Sequence, residues 1–320
     1  MNTSSQPITV SVTRDVVESQ HLVDCVVIGP EGPLLVAGEL DRNVIARSAL
    51  KPIQVLPLVE TGAADHYELS DDEIALGASS HSAEQAHLDA VDAWLGRIGL
   101  NREALECGTA RPLSVRRADE LVGEGTTFEP IHNCCSGKHA GFLTIAKHLG
   151  EQTQGYIDRE HPVQQLVTDA IGRYTGIDMS SRSSGLDGCG IPTFSLPLQA
   201  LATAMCNLVT SDDPAAMRVT GALTRAAFWL SGPDRHECRV EMAAKEPLLL
   251  KQGAEGVFMG ALPTRGYGFA VKARDGALRA SSTAVSRVLD ELGAVDTAPL
   301  ATQITNAEGT VVGTMEAKIP

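Results

Sequence analysis

The sequence lacks the features that mark membrane, secreted and nucleic-acid-binding proteins. No apolar run approaches the ~20 residues that span a bilayer, and the first residues lack the basic-then-apolar pattern of a signal peptide. Positive charge is also scarce, because 26 Lys and Arg face 40 Asp and Glu, for a net charge of -14. This balance argues against nucleic acid and anionic membranes as partners. We expect a cytoplasmic protein that binds neither of them.

The cysteines do not form a recognisable disulfide framework. They are odd in number and irregularly spaced, at Cys25, Cys107, Cys134, Cys135, Cys189, Cys206 and Cys238. Such a set is typical of reduced thiols, most of them small buried hydrophobic residues.

Strand patterns occupy both ends of the chain, and helical patterns lie between them. Residues 8–39 alternate as an antiparallel meander, and strand patterns return at 256–272 and near 309–313. Between residues 48 and 230 the apolar residues recur with helical periodicity. The predicted helices include 83–98, 118–122, 139–148, 163–174, 198–208 and 214–229, with a last one at 279–292.

This order predicts an α+β fold in which one antiparallel sheet is built from both chain ends and a helical subdomain is inserted. We expect residues 1–320 to form a single domain, with a sheet subdomain of about 1–50 and 240–320 and a helical subdomain of about 51–239. The arrangement resembles the β-lactamase and penicillin-binding fold.

The segment RSALKP at 47–52 lies where the strands give way to helices. If it opens a helix, Ser48 and Lys51 lie on one face, where the lysine can reach the serine hydroxyl. A neutral lysine can act as the base that activates a serine nucleophile. The alternative is an ordinary helix start with an exposed lysine, because Ser-x-x-Lys alone is a weak motif.

Two further segments suit the same chemistry. ASSHS at 78–82 offers Ser80 as a second hydroxyl, although serines there are equally suited to cap the next helix. Lys251 and Gly253 precede a predicted strand, where β-lactamase-type enzymes place a Lys-x-Gly. We predict Ser48, Lys51, Ser80 and Lys251 as catalytic residues.

Two glycine-flanked cysteines, Cys135 and Cys189, suggest a metal site. With Lys138 and Asp187 they provide thiolate, amine and carboxylate donors for zinc. The spacing matches no common zinc motif, and Lys138 must lose its proton to bind a metal, so a pair of buried structural thiols is the alternative. Cys135-x-x-Lys138 also allows a cysteine hydrolase, with His161 and Asn133 as partners by elimination.

The chain resembles the L-asparaginase II family of the rhizobial type, which is similar to serine β-lactamases and glutaminases in fold. Seven segments carry the resemblance in order: RSALKP at 47–52, ASSHS at 78–82, CSGKH at 135–139, HPVQ at 161–164, DGC at 187–189, K-x-GAEG at 251–256 and N-x-x-G-x-VVG at 306–313. The chain departs from the family's usual pattern at Cys134, at CGTARP 107–112 and at GPDRH 232–236. These departures affect substrate preference and metal affinity more than the reaction class.

The resemblance implies hydrolysis of L-asparagine to L-aspartate and ammonia by a homodimer without an organic cofactor. It implies two serine-lysine tandems, Ser48-Lys51 and Ser80-Lys251, and a zinc site at Cys135, Lys138 and Cys189 with Asp187 close by. We expect the substrate to be bound by Arg47, His81, Asn133, Gly188 and Gly253.

We expect Lys51 to take the proton of Ser48, Ser48 to attack the amide, and Ser80 with Lys251 to pass a proton to ammonia. Backbone amides at the helix start, including that of Ser48, would hold the oxyanion. Three alternatives remain: a glutaminase or β-lactam-like amidase, a zinc amidase in which metal-bound water attacks, and a non-catalytic binding protein.

Overall fold

The computed structural model describes residues 2–180, 182, 184–296 and 302–320. The chain forms two compact units. The sheet unit contains Met1–Leu50, Ser195–Thr210 and Arg239–Pro320, and the helical unit contains Lys51–Phe194 and Ser211–Cys238. Segment 195–210 thus belongs to the sheet unit, although it falls inside the range predicted for the helical subdomain.

The sheet unit is organised by one antiparallel sheet. Its strands follow in the spatial order β11 (Thr302–Thr305), β12 (Val311–Lys318), β2 (Ile8–Thr13), β3 (Val17–Gly29), β10 (Tyr267–Ala273), β9 (Val257–Leu262) and β8 (Leu249–Gly253). A further strand, β4 (Gly32–Ala37), pairs with β3, and β1 (Asn2–Ser4) pairs in parallel with β4. Strand β5 (Asn43–Ile45) lies outside this sheet. The predicted α+β class is therefore confirmed, because N-terminal and C-terminal strands share one sheet.

Helices α9 (Leu198–Thr210) and α13 (Leu278–Glu291) cover opposite faces of this sheet. A Cβ on Gly268 would lie 2.3 Å from the carbonyl oxygen of Ala202, so this side of β10 faces α9. The next residue, Phe269, packs in the core with the buried side chains of α13. Since successive strand residues point to opposite faces, the sheet lies between the two helices.

A buried carboxylate links neighbouring parts of the sheet unit. Asp24 on β3 is fully buried and accepts hydrogen bonds from Arg274, the closest at 2.7 Å. Arg42 Nε lies 2.8 Å from the other carboxylate oxygen. The two guanidinium groups neutralise a charge that would otherwise be costly to bury.

The helical unit contains short helices around the central helix α7. Its helices are α1 (Lys51–Gln54), α2 (Leu56–Glu60), α3 (Ala63–His66), α4 (Asp71–Gly77), α5 (Gln85–Arg97), α6 (Val115–Gly123), α7 (Ser136–Leu149), α8 (Pro162–Thr175), α10 (Pro214–Leu223) and α11 (Ala227–Leu230). Strand β6 (Ser184–Leu186) pairs with the first residues of β7 (Pro192–Pro197). The chain passes from the helical unit to the sheet unit within β7, and it does so again within α12 (His236–Met242).

Local signals explain where several helices begin and end. Ser70 and Glu73 form a reciprocal capping box at the start of α4. His161 caps α8 by accepting a hydrogen bond from Val163. The single helix predicted for 214–229 is wrong, because Thr224, whose hydroxyl bonds back to the carbonyl of Thr220, ends α10 before α11 begins.

Among the described residues, no helix is both long enough and apolar enough to cross a membrane.

Candidate active site

A buried lysine lies at the centre of a polar cluster in the helical unit. Lys51, the first residue of α1, is fully buried. Its amino group contacts the carbonyl oxygen of Ser79, Ser80 Oγ at 3.1 Å and Cys135 Sγ at 3.2 Å. Three hydrogen-bonding atoms thus surround the Lys51 amino group. The structure therefore joins the predicted catalytic residues Lys51 and Ser80 and adds Cys135, which we had predicted as a metal ligand.

The loop that carries Ser80 is held by several hydrogen bonds. The backbone N–H of Ser80 donates to the carbonyl of Leu230 at 2.9 Å, and that of His81 donates to the carbonyl of Cys134 at 3.2 Å. Glu84, rather than one of the loop serines, is the N-cap of α5. The hydroxyl of Ser80 thus faces Lys51, whereas the backbone N–H of Ser80 is bound to the carbonyl of Leu230.

Two more thiols extend the cluster around Cys135. Hydrogen bonds from the thiols of Cys134 and Cys189 lower the pKa of Cys135 well below its ordinary value. Burial opposes this effect, and the positive charges of Lys51 and Lys138 reinforce it. The environment of Cys135 therefore favours the negatively charged form of its sulfur.

Cys189 and Lys138 keep their protons in this arrangement. The hydrogen bond to Cys135 and burial raise the pKa of Cys189. Burial acts to lower the pKa of Lys138, but Cys189, Cys135 and Asp187 together raise it above its ordinary value. Lys138 Nζ donates to Cys189 Sγ at 3.1 Å. Cys135, Cys189 and Lys138 thus form one buried network, and Asp187 acts on Lys138 through its charge.

This donor set would have to lose protons before it could hold a zinc ion. Zinc needs deprotonated ligands, and Lys138 acts here as a hydrogen-bond donor. In the part of the chain that the structure describes, no three His, Cys, Asp or Glu side chains gather into a set that could hold a metal. Proton loss from Cys189 would supply an anionic sulfur, and proton loss from Lys138 would free its nitrogen to bind a metal.

The amide of Asn133, predicted to bind substrate, is used by the protein itself. Its nitrogen donates to the carbonyl oxygens of Cys107 at 2.8 Å and Gly108 at 3.0 Å. Its oxygen accepts the backbone N–H of Cys135 at 2.9 Å. Asn133 therefore holds the start of α7 in place, and its role toward substrate stays a prediction.

The other predicted substrate contacts of this unit lie in two turns. Gly188 is exposed, and its N–H donates to the carboxylate of Asp187 at 2.7 Å in the turn before β7. His81 is buried in the Ser80 loop, and both ring nitrogens contact protein atoms. The base proposed for a cysteine hydrolase, His161, caps α8 instead.

In the sheet unit, Ser48 lies in a 3-10 helix against strand β8. A Cβ on Gly253 would lie 2.5 Å from the carbonyl oxygen of Ala46 and 3.0 Å from the backbone nitrogen of Ala49. The first distance is shorter than real Cβ contacts and the second is at their lower limit, so glycine lets the strand approach the turn this closely. Gly253 therefore fixes where the Ser48 turn lies on the strand.

Lys251 and Arg47 are the remaining predicted residues of the sheet unit. Lys251 is fully buried, and its Nζ donates to the carbonyl oxygen of Gln252 at 2.9 Å. Arg47 has a φ of 52°, which is unusual for a residue with a side chain. The tandem pairings of Ser48 with Lys51 and of Ser80 with Lys251 stay predictions.

The sequence model of the L-asparaginase II family matches residues 10–317. The chain belongs to the L-asparaginase II family. The predicted family is confirmed, and the protein is an amidohydrolase, a hydrolase acting on linear amides. The comparison with curated proteins gave no match.

Several solved structures are similar to this L-asparaginase II family member. The Bacillus subtilis glutaminase YbgJ, in covalent complex with 5-oxo-L-norleucine, is 11% identical over 85% of this chain and 88% of its own, with a TM-score of 0.42. A β-lactamase from Mycobacterium bovis is 16% identical over 84% and 94%, with a TM-score of 0.43. Mglu in its native form is 14% identical over 85% and 64%, with a TM-score of 0.40.

Several residues that hold the site of this family member together are not predicted by its sequence patterns. Ser136 contacts the ring of His81, and its only signal was its place inside the CSGKH motif. The hydroxyl of Tyr156 lies 2.8 Å from His139 Nδ1, in the same motif. Leu230 contributes through its backbone carbonyl, which every residue type provides and no sequence pattern reveals.

Proposed function

We propose that this amidohydrolase is an L-asparaginase, which hydrolyses the side-chain amide of L-asparagine to L-aspartate and ammonia. The observation that carries this proposal is the contact between the buried Lys51 and Ser80 Oγ at 3.1 Å. A serine hydroxyl beside a buried amine is the arrangement that activates an oxygen nucleophile. Membership of the L-asparaginase II family supports the choice of asparagine.

The proposed reaction is acyl transfer in two halves. A serine oxygen adds to the amide carbon while a lysine amine takes the hydroxyl proton, and that proton passes to the leaving nitrogen as ammonia departs. Water then adds to the aspartyl ester, gives up a proton and releases aspartate and the serine hydroxyl. Ser48 is the nucleophile that the resemblance implies, and Ser80 is the hydroxyl in contact with Lys51.

Ammonia release from L-asparagine and L-glutamine tests this function. We expect the wild type to favour asparagine and Lys51→Met to lose about 10³-fold in kcat, within the usual range for a general base. Ser79→Ala is the matched control. Its buried hydroxyl has no hydrogen-bond partner among the described residues, and its carbonyl still meets Lys51.

The same assay on Ser48→Ala and Ser80→Ala assigns the nucleophile. Loss of the attacking serine costs more than loss of a serine that only relays a proton, and it abolishes the covalent adduct with a slow substrate. Mass spectrometry locates that adduct on one peptide or the other. A wild type that releases ammonia faster from glutamine would make the protein a glutaminase of this family, and one inactive on both amides would overturn the proposal.

Zinc binding is a separate proposal, which rests on the resemblance and on the thiol chemistry of the cluster. Cys135, Cys189, Lys138 and Asp187 would hold the ion after losing protons, and a bound ion would polarise a carbonyl or activate water. Metal analysis of protein dialysed against zinc tests it, with Cys189→Ser as the comparison. Equal, negligible zinc in both proteins would rule it out.

We also propose a homodimer on the basis of the resemblance. Light scattering after gel filtration should give twice the chain mass of 33.7 kDa. A single-chain mass at micromolar concentration would contradict this assembly.

A further inference from the structure

Both ring nitrogens of His81 are engaged by the protein. The ring is fully buried, and its Nε2 lies 2.8 Å from Ser136 Oγ. The other nitrogen, Nδ1, accepts the backbone N–H of Ala83 at 3.1 Å. The histidine thus joins its own loop, which carries Ser80, to the first residue of α7.

The direction of each hydrogen bond is determined by its partners. The hydroxyl proton of Ser136 goes to the carbonyl oxygen of Ile131 at 2.9 Å, so Ser136 Oγ accepts a proton from His81 Nε2–H. A backbone N–H can only donate, so His81 Nδ1 has no proton. The ring is therefore neutral, in one tautomer, with no N–H left to donate to a substrate.

The loop that this ring holds is strained. Ala83 is buried and has a φ of 58°, in the left-handed region that side-chain-bearing residues avoid. Its N–H is bound by His81, and its carbonyl oxygen accepts a hydrogen bond from Arg117 Nε at 3.1 Å. Hydrogen bonds to the peptide groups before and after Ala83 help to keep this conformation populated.

We propose that His81 is a positioning residue, whose neutral ring links the Ser80 loop to the start of α7 and thereby holds Ser80 Oγ against Lys51. This inference rests on the proposed amide hydrolysis. Lys51 contacts the loop through Ser80 and α7 through the adjoining Cys135. A shift between loop and helix therefore changes the geometry of the serine and its base directly, and misplacement of reacting groups by about 1 Å lowers rates by about 10²-fold.

Two substitutions of His81 distinguish its hydrogen bond to Ser136 from its hydrogen bond to Ala83. His81→Gln places an amide N–H near the position of Nε2 and keeps the donor to Ser136, whereas His81→Asn keeps only an acceptor for Ala83. We expect His81→Asn and Ser136→Ala to lower kcat by about 10- to 100-fold with KM within about twofold of wild type. His81→Gln should retain most of the activity.

A double mutant and a control complete the experiment. The double variant of His81→Asn with Ser136→Ala should be no slower than the slower single variant, because both remove the same bond. His148→Gln is the control, since this half-buried histidine also bonds a protein oxygen, the carbonyl of Thr61 at 2.9 Å, and should keep wild-type kinetics.

Kinetics and crystallography together test whether His81 positions Ser80 against Lys51. A raised KM with unchanged kcat in His81→Asn would indicate that the ring contacts the substrate. If the losses in kcat of the two single variants added up in the double variant, His81 and Ser136 would act independently of each other. Crystal structures of wild type and His81→Asn measure the Ser80 Oγ to Lys51 Nζ distance without any substrate. An unchanged distance would overturn the inference, whereas an inactive wild type would overturn only the proposed function.

Discussion

The stability of the helical unit should depend on pH through His87, and His87→Gln should remove that dependence. This buried histidine stacks on Phe228, with ring centroids 4.6 Å apart. Its Nε2 lies 3.0 Å from the carbonyl oxygen of Phe228, and its Nδ1 accepts the N–H of Glu84 at 3.2 Å. A second ring proton would remove the acceptor that Glu84 uses, so the fold requires the neutral ring.

The size of the effect follows from the pKa. Burial lowers the pKa of His87 from 6.5 to about 4, although the hydrogen bond to Phe228 opposes this change. Between these values the unfolded chain binds a proton that the native protein does not, so stability falls as the pH falls from 6.5 toward 4. At 1.36 kcal/mol per pH unit, the loss is about 3 kcal/mol in total. Above pH 6.5 the ring is neutral in both states and contributes no pH dependence.

Urea unfolding at pH 7, 6, 5 and 4.5 measures this loss, with fluorescence and circular dichroism compared at each pH to check for a single transition. The glutamine variant can still donate to Phe228 but does not titrate. Between pH 7 and pH 4.5, the unfolding free energy of this variant should fall by about 2.5 kcal/mol less than that of the wild type. The exposed His66→Gln is the control and should parallel the wild type. Parallel curves for wild type and His87→Gln would refute the reasoning.

Two further changes test the packing of the sheet unit. Gly253→Ala should displace the Ser48 turn, lower kcat and destabilise the fold by about 1–3 kcal/mol in urea unfolding. Gly96→Ala is the control, because this exposed helical position has no atom near the new Cβ, and it should stabilise the fold by about 0.5–1 kcal/mol. If Gly253→Ala and Gly96→Ala changed the unfolding free energy equally, the packing argument would be contradicted. Asp24→Asn should cost about 3–5 kcal/mol in the same measurement, because it leaves two arginines around an uncharged group. The exposed pair of Arg111 with Asp119 provides the control, and Asp119→Asn should change stability by less than about 1 kcal/mol.

The elements whose signals are local could be predicted from the sequence. Alternation in β2 predicted a strand, and its burial alternates as expected for a strand with one buried face. Ser70 with Glu73, and His161 before a proline, act on backbone groups within three residues of themselves. Membership of the L-asparaginase II family was predicted in the same way, because ordered motifs are properties of the chain.

The partners within the site are a property of the tertiary structure. Lys51 meets Ser80, 29 residues away, and Cys135, 84 residues away. No periodicity links such positions, because the approach of one side chain to another depends on how α1, the Ser80 loop and α7 pack. The same packing gives His81 two protein partners and requires glycine at position 253. The sequence by itself determined the reactive groups and the family. Only the tertiary structure decided which groups share protons, since hydrogen bonds and burial act across distances that the linear order does not contain.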